Sequence, residues 1–230
     1  AERPIRFIFC ATDKAYGSAG QQDYTEDMPL NALAVYDASK AAADIIARTY
    51  AACDYVPALA VVRPCNILAP ADLNLGRVLN RIILPCMRGE RPVLYSTNNM
   101  REYIWVADAV DAIKTLDERL KDMLDGRDND SVHGQAYNIS SGQGRSLKEC
   151  VRAVMVHFPG LEPIWISAPL IAQTVEIPYQ ALSTNKIKAA TGWYPLSNFE
   201  ASVSRLVEWW RRNWDMLPET LKNAKMEGWH

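Results

Sequence analysis

Thr12-Asp13-Lys14 closes a short apolar run, and Tyr36-Asp37-Ala38-Ser39-Lys40 then places a Tyr-x-x-x-Lys spacing at the front of an alanine-rich segment. The first triplet offers a hydroxyl, a carboxylate and an amine; the second offers a phenol and an amine. Together they can bind a hydroxyl-bearing molecule and move protons to and from it. On a helix, the four-residue spacing brings Tyr36 and Lys40 to one face. An ammonium held beside a phenol favours the phenolate, a base for a sugar hydroxyl, and the same lysine can hold a cofactor ribose.

Tyr-x-x-x-Lys alone also fits an ordinary surface helix, and Asp13-Lys14 also fits an ion pair at a strand end. Their relative position argues for more. Residues 5–11 (Ile5, Phe7, Ile8, Phe9, Cys10 and Ala11 with Arg6) read as a strand covered on both faces in a parallel sheet. Tyr36 to about Ala52 reads as a helix with an apolar stripe of Ala41, Ile45 and Tyr50. Pro57 precedes a second buried strand, Ala58 to Val62, so the order strand–helix–strand implies a crossover in a doubly wound sheet.

Further along, a loop from Asn66 leads to a helix ending at Met87, with short strands at Val93–Tyr95 and Arg101–Val106. Asp108 is expected to cap a helix through Leu120, followed by a charge-rich segment and a strand from Gln135 to Ile139. Ser146 and Glu149 spell a capping box opening a helix to Phe158. Pro159, Pro163, Pro169 and Pro178 punctuate an irregular stretch, and a final helix places Phe199, Val203, Leu206, Trp210 and Trp214 on one face. Gly142-Gln143-Gly144-Arg145-Ser146-Leu147 lacks a third glycine, and its Ser146 already caps a helix, so it is not read as a phosphate loop.

The bulk composition narrows the function classes. At 230 residues and 49% hydrophobic, the chain can bury one ordinary core with a smaller lobe. A net charge of −2 provides no basic field for nucleic acid or an anionic membrane. The five cysteines form no Cys-x-x-Cys and read as small buried apolar residues of a reducing compartment. His133, His157 and His230 sit apart, without metal-ligand spacing. No apolar stretch approaches the ~20 residues that span a bilayer, and the start of the chain is no signal peptide. The expectation is a soluble cytoplasmic protein holding no metal.

Seven motifs in order carry a family resemblance. They are Thr12-Asp13-Lys14-Ala15-Tyr16-Gly17, Glu26-Asp27-Met28-Pro29-Leu30, the helix from Tyr36 to Asp44, Arg63-Pro64-Cys65-Asn66, the stretch from Arg101 to Asp108, Tyr137-Asn138-Ile139-Ser140-Ser141-Gly142, and Gly192-Trp193-Tyr194-Pro195. From end to end, the chain resembles the extended short-chain dehydrogenase/reductase family, in its NAD-dependent nucleotide-sugar epimerase/dehydratase branch. Asp-Lys after the threonine is similar to CDP-glucose 4,6-dehydratases and to some UDP-N-acetylglucosamine dehydratases. The resemblance implies an α/β fold, the later part of a doubly wound Rossmann-type parallel sheet with a smaller mixed α/β substrate-binding lobe. It places residues 1–66 in the NAD-binding domain and 67–230 mainly in the substrate lobe, with about 100–135 returning to the first.

The resemblance also implies site roles, with NAD as cofactor and a nucleotide-diphosphate sugar as substrate. Thr12 would bind the sugar O4 region, and Tyr36 would take the O4 proton. Asp13 would protonate the departing C6 hydroxyl, and Lys14 would remove the C5 proton, with partial burial favouring its neutral amine. Tyr36, Lys40 and Pro64 would line the cofactor. Asn66, Arg77 and Arg101 would contact substrate, the arginines at its diphosphate. A homodimer through the helix bearing Tyr36 and its neighbour is implied too. The expected activity is nucleotide-sugar 4,6-dehydration. The alternatives are 4-epimerisation, with Asp13 and Lys14 idle, and a noncatalytic nucleotide-sugar-binding module.

Three departures from the family pattern stand out. The Gly-rich turn and its acidic ribose partner do not precede Thr12, so these 230 residues read as the later part of a longer enzyme, or as one completed by a separate chain, and as inactive alone. Ile67-Leu68-Ala69-Pro70 stands where the family carries Tyr-Gly-Pro, and Arg101-Glu102-Tyr103 where it carries Arg-Asp-Tyr.

Overall fold

The computed structural model describes residues 5–96, 98–127, 132–167 and 177–224; Pro169 and His230 lie outside them. In chain order the strands are β1 (Arg6–Cys10), β2 (Ala58–Pro64), β3 (Asn66–Leu68), β4 (Val93–Ser96), β5 (Met100–Trp105), β6 (Ala136–Ile139), β7 (Gly144–Ser146), β8 (Ile164–Ser167) and β9 (Tyr179–Gln180). The α-helices are α1 (Val35–Ala52), α2 (Val78–Met87), α3 (Val106–Leu124), α4 (Leu147–Met155), α5 (Asn185–Thr191), α6 (Phe199–Asn213) and α7 (Glu219–Lys222). Two compact units divide the chain, the first made of 1–67, 101–144 and 177–197, the second of 68–100, 145–176 and 198–230.

The first unit is built on a parallel sheet in the order β1-β2-β6, with Arg6 opposite Ala58 and Val61 opposite Ala136. Every residue of β2 is buried, because both of its faces are covered. Ala58, Ala60 and Val62 meet Ala109, Ala112, Leu116 and Leu120 of α3. Leu59 and Val61, pointing the other way, meet Ala47 and Ala51 of α1. The sheet therefore lies between two helices, the α/β layering of a Rossmann-like fold. β5 pairs with β3 and β9 in a separate sheet.

The structure corrects several sequence expectations. β1 is not covered on both faces: Phe7 on it is 46% exposed and Ile5 just before it 73%, and among the described strands β1 also lies at the end of its sheet. The buried stripe of α1 is Asp37, Ala41, Asp44, Ala47 and Ala51, whereas Ile45 and Tyr50 face outward with Ile46. The alanines let the helix approach the sheet closely, leaving no room there for the larger side chains. Asp108 does not cap α3, which begins at Val106 and continues to Leu124. Its carboxylate instead accepts hydrogen bonds from the Leu196 and Ser197 N–H groups at 3.3 and 3.0 Å. All five cysteines are free, but Cys10 and Cys53 are exposed. Both lie at ends of elements, Cys10 closing an edge strand and Cys53 following α1.

The second unit packs α2, α4 and α6 around Leu79, Ile82, Ile83, Val154, Val203, Leu206 and a fully buried Trp210. Trp210 belongs to the core, and the half-buried Trp209 meets it edge to face at 5.8 Å. β4 and β8 pair in parallel, and Ser146 and Glu149 form the expected capping box on α4. Among the described residues, no helix is long and apolar enough to cross a membrane.

Candidate active site

In an open α/β sheet, ligands collect beyond the carboxyl ends of the strands, and here the chemistry-bearing residues of the first unit begin where β1 and β2 end. Beyond Cys10 the chain enters a 3-10 turn, Asp13–Tyr16, with Thr12 as its N-cap. The Thr12 hydroxyl accepts from the Lys14 N–H at 3.4 Å and donates to Asp13 Oδ1 at 3.1 Å. Gly17 ends the turn at φ +67°, where an added Cβ would fall 1.8 Å from the Asn31 carbonyl oxygen. Only glycine fits there.

α1 packs against this turn. Lys40 Nζ donates to the Cys10 carbonyl at 3.2 Å and lies 5.6 Å from the centre of the Phe9 ring, which brings the lysine to the end of β1. Lys14 sits close enough to Asp37, in the first turn of α1, to pull down a carboxyl that burial pushes up. Tyr36 is 57% exposed at the same end of the helix, with its carbonyl accepting from the Ser39 hydroxyl at 2.7 Å. Pro64 is the last residue of β2, opposite Ile139 of β6.

Asp13 is the most perturbed of the candidate catalytic groups. Burial pushes its carboxyl up to about 6, against the opposing pull of the Thr12 hydroxyl and the charges of Lys14 and Arg101. Arg101, half-buried on β5, thus lies within electrostatic reach of Asp13. Lys14 itself is exposed, so the burial expected to favour its neutral amine is absent within these residues. The turn directs its neighbours Asp13 and Ala15 into the core and Lys14 outward.

Asn66 donates its carboxamide to the backbone carbonyl of Glu102 at 3.0 Å. Arg77 belongs to the second unit, at the start of α2, where it pairs with Asp72 at 2.7 Å. Sequence reasoning did not single out Glu102 for a role. Its carboxylate is buried and accepts from the Ser140 hydroxyl at 2.5 Å and the Leu182 N–H at 2.7 Å. Burial raises it to about 7, despite those two hydrogen bonds and with the charges of Asp23 and Asp13 adding to the rise. The signal was a carboxylate set beside Tyr103 and Ile104 in a strand with no exposed face to put it on.

The matching family model, described as the NAD dependent epimerase/dehydratase family, covers residues 1–139. The chain is 26% identical over 218 residues to dTDP-glucose 4,6-dehydratase of Xanthomonas campestris pv. campestris, covering 91% of this chain and 58% of that protein. It is 30% identical over 207 residues to the low-salt glycan biosynthesis protein Agl12 of Haloferax volcanii, covering 89% and 61%. A crystal structure of dTDP-glucose 4,6-dehydratase from Bacillus anthracis in complex with NAD superposes with a TM-score of 0.76 at 23% identity, covering 94% of this chain and 64% of that one. At that identity the superposition speaks to the fold. This chain spans about 58% of the length of the Xanthomonas relative.

Proposed function

The chain belongs to the NAD dependent epimerase/dehydratase family, and from that premise we propose that it carries the catalytic and substrate-binding part of a cytoplasmic nucleotide-sugar 4,6-dehydratase, which converts an NDP-hexose to its 4-keto-6-deoxy form. The observation that carries this reading is Asp13. A carboxyl held near 6, beside a threonine hydroxyl at the end of a parallel strand, keeps a useful protonated fraction near neutral pH. A simple 4-epimerase has no use for such an acid.

In this reading, Thr12 and Tyr36 bind the sugar at O4, and the Tyr36 phenolate takes the O4 proton. Asp13 donates its proton to the departing C6 hydroxyl, and Lys14 removes the proton at C5. Arg101 holds the substrate diphosphate, helped by Asn66. Bound NAD supplies the uptake and return of one hydride. The exposed Tyr36 phenol, the Lys40 ammonium at the end of β1 and Pro64 at the end of β2 fit the nicotinamide ribose end of that cofactor. The sequence holds no Gly-x-Gly-x-x-Gly turn for its pyrophosphate. Outward-facing Val35, Ile45, Ile46 and Tyr50 on α1 support a homodimer through that helix.

The exposure of Lys14 favours a second reading, an NDP-sugar 4-epimerase in which Tyr36 and Lys40 act while Lys14 stays in solvent. Incubating the complete protein with CDP-, UDP-, dTDP- and GDP-hexoses separates the two. Dehydration removes the mass of one water; epimerisation leaves the mass unchanged; neither binding nor turnover would favour a noncatalytic module. Lys14→Met is expected to abolish water loss while leaving C4 oxidation measurable as NAD reduction. Undiminished dehydration would remove Lys14 from the mechanism.

A further inference from the structure

The two halves of the proposed catalytic set come from different elements, so something must fix their spacing. The alanine face of α1 is a smooth surface, and ridges that small do little to stop the helix rotating or sliding on the sheet. The Lys40 contact with the Cys10 carbonyl is exposed to solvent and contributes little. Arg63 of β2 is different. Its side chain is 1% exposed, and its guanidinium is spent on both halves at once.

Nε and Nη2 of Arg63 fork onto the Asp44 carboxylate at 2.8 and 3.0 Å. Asp44 follows Lys40 by one helical turn and is itself fully buried, held from its other side by Arg48 at 2.8 Å. A planar bidentate pair has one favourable geometry, so it fixes both the rotation of α1 and its position along β2. The remaining arm, Nη1, donates to the Tyr16 hydroxyl at 2.8 Å and to the Glu26 carbonyl at 3.2 Å. Tyr16 is the last residue of the turn that carries Asp13 and Lys14. Its ring centre lies 4.9 Å from the guanidinium carbon, and its hydroxyl donates onward to Asn138 Oδ1 at 2.7 Å, on β6. One buried cation thus joins the turn, the helix and two strands.

We propose that Arg63 is the positioning residue that sets the Thr12–Lys14 turn against the Tyr36–Lys40 pair, a role whose catalytic meaning rests on the dehydratase reading above. Lysine cannot replace it, because an ammonium has no fork and cannot reach Asp44 and Tyr16 together.

The test combines hydrogen exchange on the full chain with steady-state kinetics on the complete protein. Arg63→Lys should speed amide exchange in residues 13–17 and 35–41 together, by about tenfold relative to the rest of the unit. It should also lower kcat with KM little changed. Tyr16→Phe cuts one arm only, so residues 13–17 should loosen while 35–41 keep their protection. Leu116→Ala, a cavity in the fully buried core of α3, controls for general loss of stability. If Arg63→Lys gives the same pattern as Leu116→Ala, or if Tyr16→Phe loosens both segments or neither, the positioning role is overturned. Absence of turnover in the unaltered complete protein would instead defeat the dehydratase reading, and the exchange pattern would still decide the role of Arg63.

Discussion

In the proposed reaction, burial of Asp13 would serve chemistry, and it costs stability through the same physical term. The carboxyl titrates near 3.8 in an unfolded chain and near 6 when folded, because desolvation disfavours the charged form. Between those values the folded state holds more protons than the unfolded state, so this group's contribution is most favourable below about pH 4 and declines as pH rises through 6. A shift of that size corresponds to about 2–3 kcal/mol. Asp13→Asn should therefore remove a pH-dependent destabilisation, flattening the pH 4–7 stability profile in urea unfolding and raising stability at pH 7 by about 2 kcal/mol. In the proposed reaction it should lower the rate of water loss by roughly a hundredfold or more, measured by product mass. A variant with the pH profile of the unaltered protein would mean that Asp13 does not carry the perturbed titration.

At the scale of elements, the site depends on a turn and a helix whose sequences leave little freedom. Gly17 ends the 3-10 turn in the left-handed region and against the Asn31 carbonyl. Gly17→Ala meets both backbone strain and a steric clash, and should lower stability by at least about 2 kcal/mol in urea unfolding. In the second unit, the Ser146–Glu149 capping box satisfies donors at the start of α4, with Ser146 N–H to Glu149 at 2.8 Å and Glu149 N–H to Ser146 at 3.3 Å. Ser146→Ala should cost about 1 kcal/mol by the same measurement, since it leaves one of those donors without its acceptor. α1 follows another logic. Its buried stripe is small because the sheet lies close, and the apolar residues left outside are the ones proposed to meet a second copy.

At the largest scale, among the described residues, the edge of the parallel sheet is the consequential feature. β1 occupies that edge among the described strands, with Phe7 partly exposed on it. An edge of unpaired backbone groups with apolar side chains is a template for association. The 230-residue chain alone should self-associate with rising concentration in sedimentation velocity, and Phe7→Lys should reduce that association. The same 230 residues should bind NAD negligibly in calorimetric titration, because their sequence offers no glycine-rich turn for the pyrophosphate. Tight NAD binding by these residues alone would require a phosphate site that the family pattern does not describe.

Much of this was legible in the sequence because it is local. The strand–helix–strand order came from the change of hydrophobic period between residues 5 and 62, and the capping box from Ser146 and Glu149, both set by neighbours in the chain. The ordered motifs from Thr12 to Pro195 likewise identified the family without coordinates. Tertiary structure decided what depends on distant residues. Which face of α1 is buried is set by the depth of β2 beneath it, and hydrophobicity alone put Ile45 and Tyr50 on the wrong side. That Lys14 points to solvent while Asp13 is buried follows from the turn and from the core it packs on. The perturbed carboxyls of Asp13 and Glu102, and the four bonds of the Arg63 guanidinium, arise only when far-separated segments exclude water from the same small volume.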